Sequence, residues 1–411
     1  LFVGAWSGAV AQAQTVDAPR PMTFMDVQEM RSFGSPAPSP DGRWLLYTVT
    51  TPDWEKATRQ SDLYLVSLRD GVSSTRQMTF TEEKNETSPG WLPNGEAFVF
   101  LSNRDAPASA RGRNQLYLMR PDGGEARRIT DAREGVNDYR FSPDGRWLVY
   151  RSGRSGERQL YRLPVDGIET AEAEQLTREP AGIDQWAWSP DGGRIYFITA
   201  DSVDTDERQR RQKGFTVDIR NMETPLSSLW ALELDTRETT RLTQDSTYSV
   251  NGFTVSPDGR WIGFRAADAD RYKRNITEER LYTDLYLLEV ATGRIERLTE
   301  NEEVAEIGPS FSPDGRWIAF SAPEDMTRYT MGNRRVYLRA VEDHGGEWRK
   351  LGSGFDGHVS IHFWSDDGNT IYFNEGIRAT TQLMALDVRR DVVRQVTNEQ
   401  AALSVSRHEE S

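Results

Sequence analysis

Apolar residues in this chain come in short bursts bounded by polar turn residues. Trp147-Leu-Val-Tyr150, Ile195-Tyr-Phe-Ile198, Trp261-Ile-Gly-Phe264 and Ile371-Tyr-Phe373 are such bursts. They are rich in aromatic and β-branched residues and too short for amphipathic helices, which predicts strands.

A turn in nearly constant lettering precedes each burst. Ser-Pro-Asp-Gly-Arg-Trp starts at Ser39, Ser142, Ser256 and Ser312, with variants at Leu92 (LPNGEA), Ser189 (SPDGGR) and Ser365 (SDDGNT). Pro presets φ, Asp bonds nearby backbone, and Gly takes φ > 0. A second mark follows each turn, as in Asp62-Leu-Tyr-Leu-Val66, Gln115-Leu-Tyr-Leu-Met119, Asp284-Leu-Tyr-Leu-Leu288 and Gln382-Leu-Met-Ala-Leu386. A third closes the unit: RQMT at 76–79, RRIT at 127–130, EQLT at 174–177, TRLT at 240–243, ERLT at 296–299, RKLG at 349–352 and RQVT at 394–397. The three marks stay in register through seven units.

Each unit reads as four antiparallel strands in about 50 residues, which is one blade of a β-propeller. A lone blade leaves both faces exposed, so the blades must stack in a ring. The expected fold is all-β, a propeller of seven four-stranded blades over 36–400. Residues 401–411 then begin either a strand that closes the ring or a truncated eighth blade.

Before the ring, residues 1–13 (LFVGAWSGAVAQA) read as the end of a secretory signal, with Ala11-Gln12-Ala13 as the cleavage pattern. The stretch is too short to span a bilayer, and it implies an exported, periplasmic or secreted destination. Residues 14–35 form a lead-in with one short helix expected around Met25–Ser32. Two units carry insertions. Asp201–Lys213 in the fourth is charged and reads as a flexible, solvated loop. Ala267–Thr283 in the fifth contains Asn275-Ile-Thr-Glu-Glu-Arg280. Insertions in repeat proteins often lie on the binding face.

A net charge of −14 argues against nucleic acid and anionic membrane as partners. The absence of cysteine closes the disulfide and thiolate-metal readings. No Gly-x-Ser-x-Gly, phosphate loop or zinc-helix motif is present, so no catalytic residue, metal ligand or cofactor is assigned. His358 and His362 lie four apart in a stretch with strand alternation, about 13 Å of strand and too far for one ion. They read as solvent-facing. The repeated turn Asp residues are too dispersed to form a calcium cage. Glu278 and Glu279, in the fifth insertion, are the candidate substrate-binding pair. The bland alternative for them is a solvated acidic loop.

These repeats resemble the N-terminal propeller of the prolyl oligopeptidase family of serine peptidases, in the style of its dipeptidyl peptidase IV and acylaminoacyl-peptidase branches. The likeness rests on Thr224-Pro-Leu-Ser-Ser-Leu-Trp-Ala-Leu-Glu-Leu234 running to Arg241-Leu-Thr243 and Val255-Ser-Pro-Asp-Gly-Arg-Trp261. The tail from Gln395-Val-Thr-Asn398 to Ser404-Val-Ser-Arg407 adds to it. It covers about 36–411. It implies a propeller that caps an α/β-hydrolase domain, admits peptides by size and helps hold the substrate's amino end, with the Ser-Asp-His triad in the hydrolase domain. None of those triad positions occurs here. Glu278-Glu279 matches the dipeptidyl peptidases' glutamate pair only loosely. The expectation is a non-catalytic, substrate-gating propeller of an exported peptidase, with peptide substrates reached through the missing hydrolase domain and homo-oligomerisation left open. The alternative is a stand-alone periplasmic propeller that docks proteins, like that of the Tol system. A channel-sited propeller enzyme is weaker, for lack of inward carboxylates or histidines at matching blade positions.

Overall fold

The computed structural model describes residues 20–106, 113–215, 217, 224–244, 247–269, 283–301, 304–328 and 332–405. The signal-like segment 1–13, Glu278 and Glu279 lie outside these residues. Twenty-eight strands form seven separate four-stranded sheets, each ordered as an antiparallel meander. The seven blades make the seven-bladed β-propeller expected from the repeats.

The recurring letters have specific structural duties. In six of the seven turns, the Ser hydroxyl donates to Asp Oδ1 at 2.5–2.6 Å. The same Ser oxygen accepts from the backbone N–H five residues on, at 2.9–3.0 Å. The turn Gly residues sit at φ of +66° to +70°, a region strained for residues with a Cβ. The closing Thr is a latch between strands. Thr79, Thr130, Thr177, Thr243, Thr299 and Thr397 each accept, through Oγ1 at 2.9 Å, from the N–H of the first Leu of the third strand. Gln115, Gln159 and Gln382 accept the proton of their blade's Thr in turn. A buried donor thus gains a partner where the fourth strand stops short.

Blades meet through apolar faces. One buried cluster fills each junction from blades 1–2 through blades 6–7. Among the described residues, no such cluster joins blade 7 to blade 1. Among the described residues no strand crosses that junction either, and residues 401–403 turn back on blade 7. Thr381 pairs with Ala402 in a parallel bridge, and Leu403 N–H donates to the Thr381 carbonyl at 3.0 Å. Asn374 Nδ2 then reaches the Leu403 carbonyl at 3.2 Å. Residues 401–403 thus lie along the rim of blade 7.

Two expectations change. The lead-in helix α1 is Phe24–Gln28, shorter than Met25–Ser32, and the first strand of blade 1 already begins at Ser32. Its start is fixed by a Thr23–Asp26 capping box. The fourth insertion is not all loop: Thr205–Gln212 is a helix, α2. Asp204 caps it by accepting from Glu207 N at 2.8 Å, and Glu207 pairs with Arg210 and Arg211 one turn on. A run of mixed charge that looks merely solvated is spaced for i,i+3 and i,i+4 pairing.

Candidate functional site

In a meander, the connections between strands 1–2 and 3–4 share one end of the blade. The 2–3 connections share the other end with the links between blades. All the Pro-Asp-Gly turns therefore lie on one face of the ring. The strand ends that bound the long insertions of blades 4 and 5 lie on the opposite face. That face is the candidate functional surface.

Helix α2 stands on it and leans across to blade 3. Arg208 donates to the Pro180 carbonyl at 2.7 Å and the Gly156 carbonyl at 3.3 Å. The insertion of blade 5 leaves its second strand (Trp261–Asp268) and returns at its third (Thr283–Glu289). Its footing is a charged network. Arg297 Nε donates to Asp284 Oδ2 at 3.0 Å, and its other nitrogens lie 3.8 Å from Asp268 and 3.7 Å from Glu300. Burial pushes the Asp284 carboxyl up, against the pull of Arg297.

Beside this network sits Glu306, 5% exposed, which accepts from Asn301. Its Oε2 has no hydrogen-bond partner among the described residues. Burial, with the charge of Asp284 adding to it, pushes its pKa up to about 8, so the group holds its proton at neutral pH. Glu86 occupies the matching place in blade 2. It is fully buried, bound by Ser102 at 2.9 Å and Arg104 at 3.2 Å, with its own Oε2 unpartnered. Burial raises it too, while Arg104 and Ser102 oppose the shift.

The sequence reading missed both glutamates. The repeat register contains the signal: the residue six before the first residue of the turn is Val136, Ile183, Val250 and Val359 in blades 3, 4, 5 and 7. It is Glu86 and Glu306 in blades 2 and 6. A carboxylate at a core position is the feature to look for.

His358 and His362 are exposed but not on a strand, since pairing there covers only Phe363–Trp364. His358 Nδ1 accepts from Arg334 N at 3.2 Å, which draws its stretch out of strand alternation. No group of three or more His, Asp or Glu among the described residues is placed to hold a metal ion. No described helix is long and apolar enough to cross a membrane.

A cleft of about 680 Å³ opens on blade 1, on the flank turned away from blade 2. Glu29 and Arg31 of the lead-in, the Asp53–Glu55 hairpin, Asp62, Tyr64 and Gln77 line it. Trp54, half-exposed, meets Phe24 of α1 edge-on at 6.3 Å.

No family model matches the chain. It is 26% identical over 383 residues to dipeptidyl-peptidase 5 of Porphyromonas gingivalis, covering 92% of this chain and 49% of that protein. It is also 31% identical over 137 residues to a protein TolB homolog of Chlorobium luteolum, covering 33% of this chain and 27% of that one. Among solved structures, a prolyl endopeptidase matches with a TM-score of 0.54 at 12% identity, over 90% of this chain and 50% of the other. The β-propeller domain of the Trilobed protease from Pyrococcus furiosus, described as having an open velcro topology, matches at 0.51 and 11%, over 91% and 97%. These two structures establish the fold alone. The chain spans about half the length of the curated dipeptidyl-peptidases 5 that it matches over most of its own length. The resemblance to the propeller of prolyl oligopeptidase peptidases thus holds in sequence and in fold.

Proposed function

We propose that this chain is the non-catalytic, substrate-gating propeller of an exported serine peptidase. The acyl-transfer chemistry belongs to a Ser nucleophile on an α/β-hydrolase domain outside these residues. The observation that carries this reading is the similarity to dipeptidyl-peptidase 5 over 92% of the chain but 49% of the relative. The two neighbouring insertions on one face support a gate there, because loops on a rigid scaffold are where selectivity is usually placed.

The test is the coding sequence beyond Ser411 together with the activity of its product. A following strand–Gly-x-Ser-x-Gly–helix, and dipeptide release by the long product but not by residues 14–411, is the expected result. Deleting 270–282 in that product should admit longer peptides without removing activity on short ones. A frame that closes at Ser411 sinks the peptidase reading. It would favour the second one, a protein-docking propeller, which the TolB homolog match over a third of the chain supports. Capture of a periplasmic protein would then be its check.

A further inference from the structure

We propose that the open flank of blade 1 is a socket for a guanidinium side chain presented by a peptide, with the Asp62 carboxylate as its anchor and the rings of Tyr64 and Trp54 as its walls. This stands apart from the peptidase reading, since the socket lies wholly within the described propeller and its occupancy can be measured without any catalytic domain.

The argument comes from the molecule's own repeats. The third strand carries Asp62-Leu-Tyr64 in blade 1 and Asp284-Leu-Tyr286 in blade 5. Two residues before the latch Thr stand Gln77 in blade 1 and Arg297 in blade 5. In blade 5 the Arg297 guanidinium binds Asp284 and lies 6.0 Å from the centre of the Tyr286 ring. In blade 2 the equivalent ring, Tyr117, also carries a guanidinium: Arg104 sits 4.8 Å above it and pairs with the buried Glu86. Ring, buried carboxylate and guanidinium therefore recur as a unit.

Blade 1 holds the ring and the carboxylate without the cation. Asp62 is only 7% exposed, yet its donors are neutral amides, Gln60 at 3.1 Å from Oδ2 and Gln77. It forms no ion pair among the described residues. Arg31 reaches the cleft but does not bridge to it. Lys56, the other nearby cation, is taken up by Glu83 at 2.9 Å and Asp53 at 3.9 Å. Burial pushes the Asp62 carboxyl up, against the amides of Gln60 and Gln77.

The cleft has room for a guanidinium, and Glu29 and Glu55 add negative charge at its walls. A guanidinium suits it better than a point ammonium, because a planar fork can stack on aromatic rings while bonding a carboxylate. The cleft is open because no packed blade covers this flank, whereas Tyr117 and Tyr286 are sealed by their neighbours.

The experiment is a titration of this chain by calorimetry and NMR with acetyl-Gly-Arg-Gly-amide. Its citrulline analogue, of the same shape without charge, and argininamide are the comparisons. Saturable binding of the arginine peptide is expected, with citrulline weaker by about tenfold or more. Asp62→Asn should lose a similar factor, and Trp54→Ala several-fold at unchanged melting temperature. Equal binding of the citrulline peptide overturns the proposal, as does full affinity in a folded Asp62→Asn chain. Should Asp62→Asn fail to fold, Trp54→Ala decides, because its half-exposed ring is not needed by the core. Unchanged binding there overturns the socket. Argininamide binding as tightly as the peptide overturns the peptide as the source of the guanidinium.

Discussion

Blades 1 and 5 are written in the same letters and end in different surroundings. Both carry Asp-Leu-Tyr on the third strand, and in both Met or Leu and then Thr follow the fourth. In blade 5 that face is closed by blade 4, through Tyr196, Ile198 and Leu229 against Phe264 and Tyr286. In blade 1 the same face looks toward the junction with blade 7, where no buried cluster forms among the described residues. Phe33, at the start of its first strand, is 77% exposed, while Val250 at the same place in blade 5 is buried. A repeat therefore fixes its own strands and turns, but its position in the ring decides which face becomes core. Six junctions hold by apolar packing. Among the described residues, the seventh shows neither that packing nor a shared strand.

The largest effect should come from emptying a closed junction. Phe264→Ala removes a fully buried ring and should cost about 3–5 kcal/mol. Phe33→Ala should stay within about 0.5 kcal/mol. Chemical denaturation of both variants measures the contrast, and comparable losses would mean that the seventh junction is packed after all. Next comes the guanidinium of blade 5. Arg297→Gln leaves Asp284 buried with no cation on it. Partial exposure of the Arg reduces the penalty of a fully buried pair, to roughly 2–3 kcal/mol. Thermal melts at pH 7 check this, and the loss should shrink at pH 4 as the carboxyl protonates.

Glu306 makes the same contrast depend on pH. Its folded pKa, about 8, lies above the unfolded value of 4.5, so the native state binds more protons between those limits. Stability must then fall as pH rises from about 4.5 to about 8, by this group alone. Glu306→Gln keeps the shape and an acceptor for Asn301 while removing the titration. The variant should lose that slope and be more stable than the parent above pH 8. Parallel stability–pH curves for parent and variant would show that Glu306 ionises normally.

The turns, the blade count and the strand order were legible because three marks recur in register, and each does a local job. Ser and Asp close the turn, Gly takes its positive φ, and Thr receives the third strand's N–H. None of these depends on distant residues. What depends on neighbours was not legible from local pattern. The return of 401–403 onto blade 7 depends on a backbone bridge to Thr381, a partner some twenty residues away in another strand. The buried Glu86 and Glu306 stand where other blades place Val or Ile, and reading each blade alone hides them. Helix α2 was missed for a different reason. Its Asp204–Glu207 cap and its Glu207–Arg210–Arg211 pairs were all visible, but its lack of apolar residues masked the helical spacing. Glu278 and Glu279 remain a sequence reading, since they lie outside the described residues.

The smallest expected effect sharpens the comparison most, because it turns one blade into the other. Gln77→Arg gives blade 1 the cation that blade 5 carries at the matching place. The new guanidinium can reach Asp62 and lie by Tyr64, as Arg297 does with Asp284 and Tyr286. Gln77 now accepts from the Tyr64 hydroxyl at 3.1 Å and donates to the Thr79 carbonyl at 2.7 Å. Arg297's counterparts Arg128 and Arg241 make that second bond from their own guanidinium, at 2.7 and 2.8 Å, so the substitution keeps it. The gain from pairing a buried carboxylate is offset by the lost tyrosine bond and the ordering of a long side chain. A net stabilisation below about 1 kcal/mol is expected. Binding should respond far more than stability, because the built-in guanidinium fills the socket and the arginine peptide should no longer compete for Asp62. Retained peptide affinity in a folded Gln77→Arg chain would show that blades 1 and 5 share letters at this place but not chemistry.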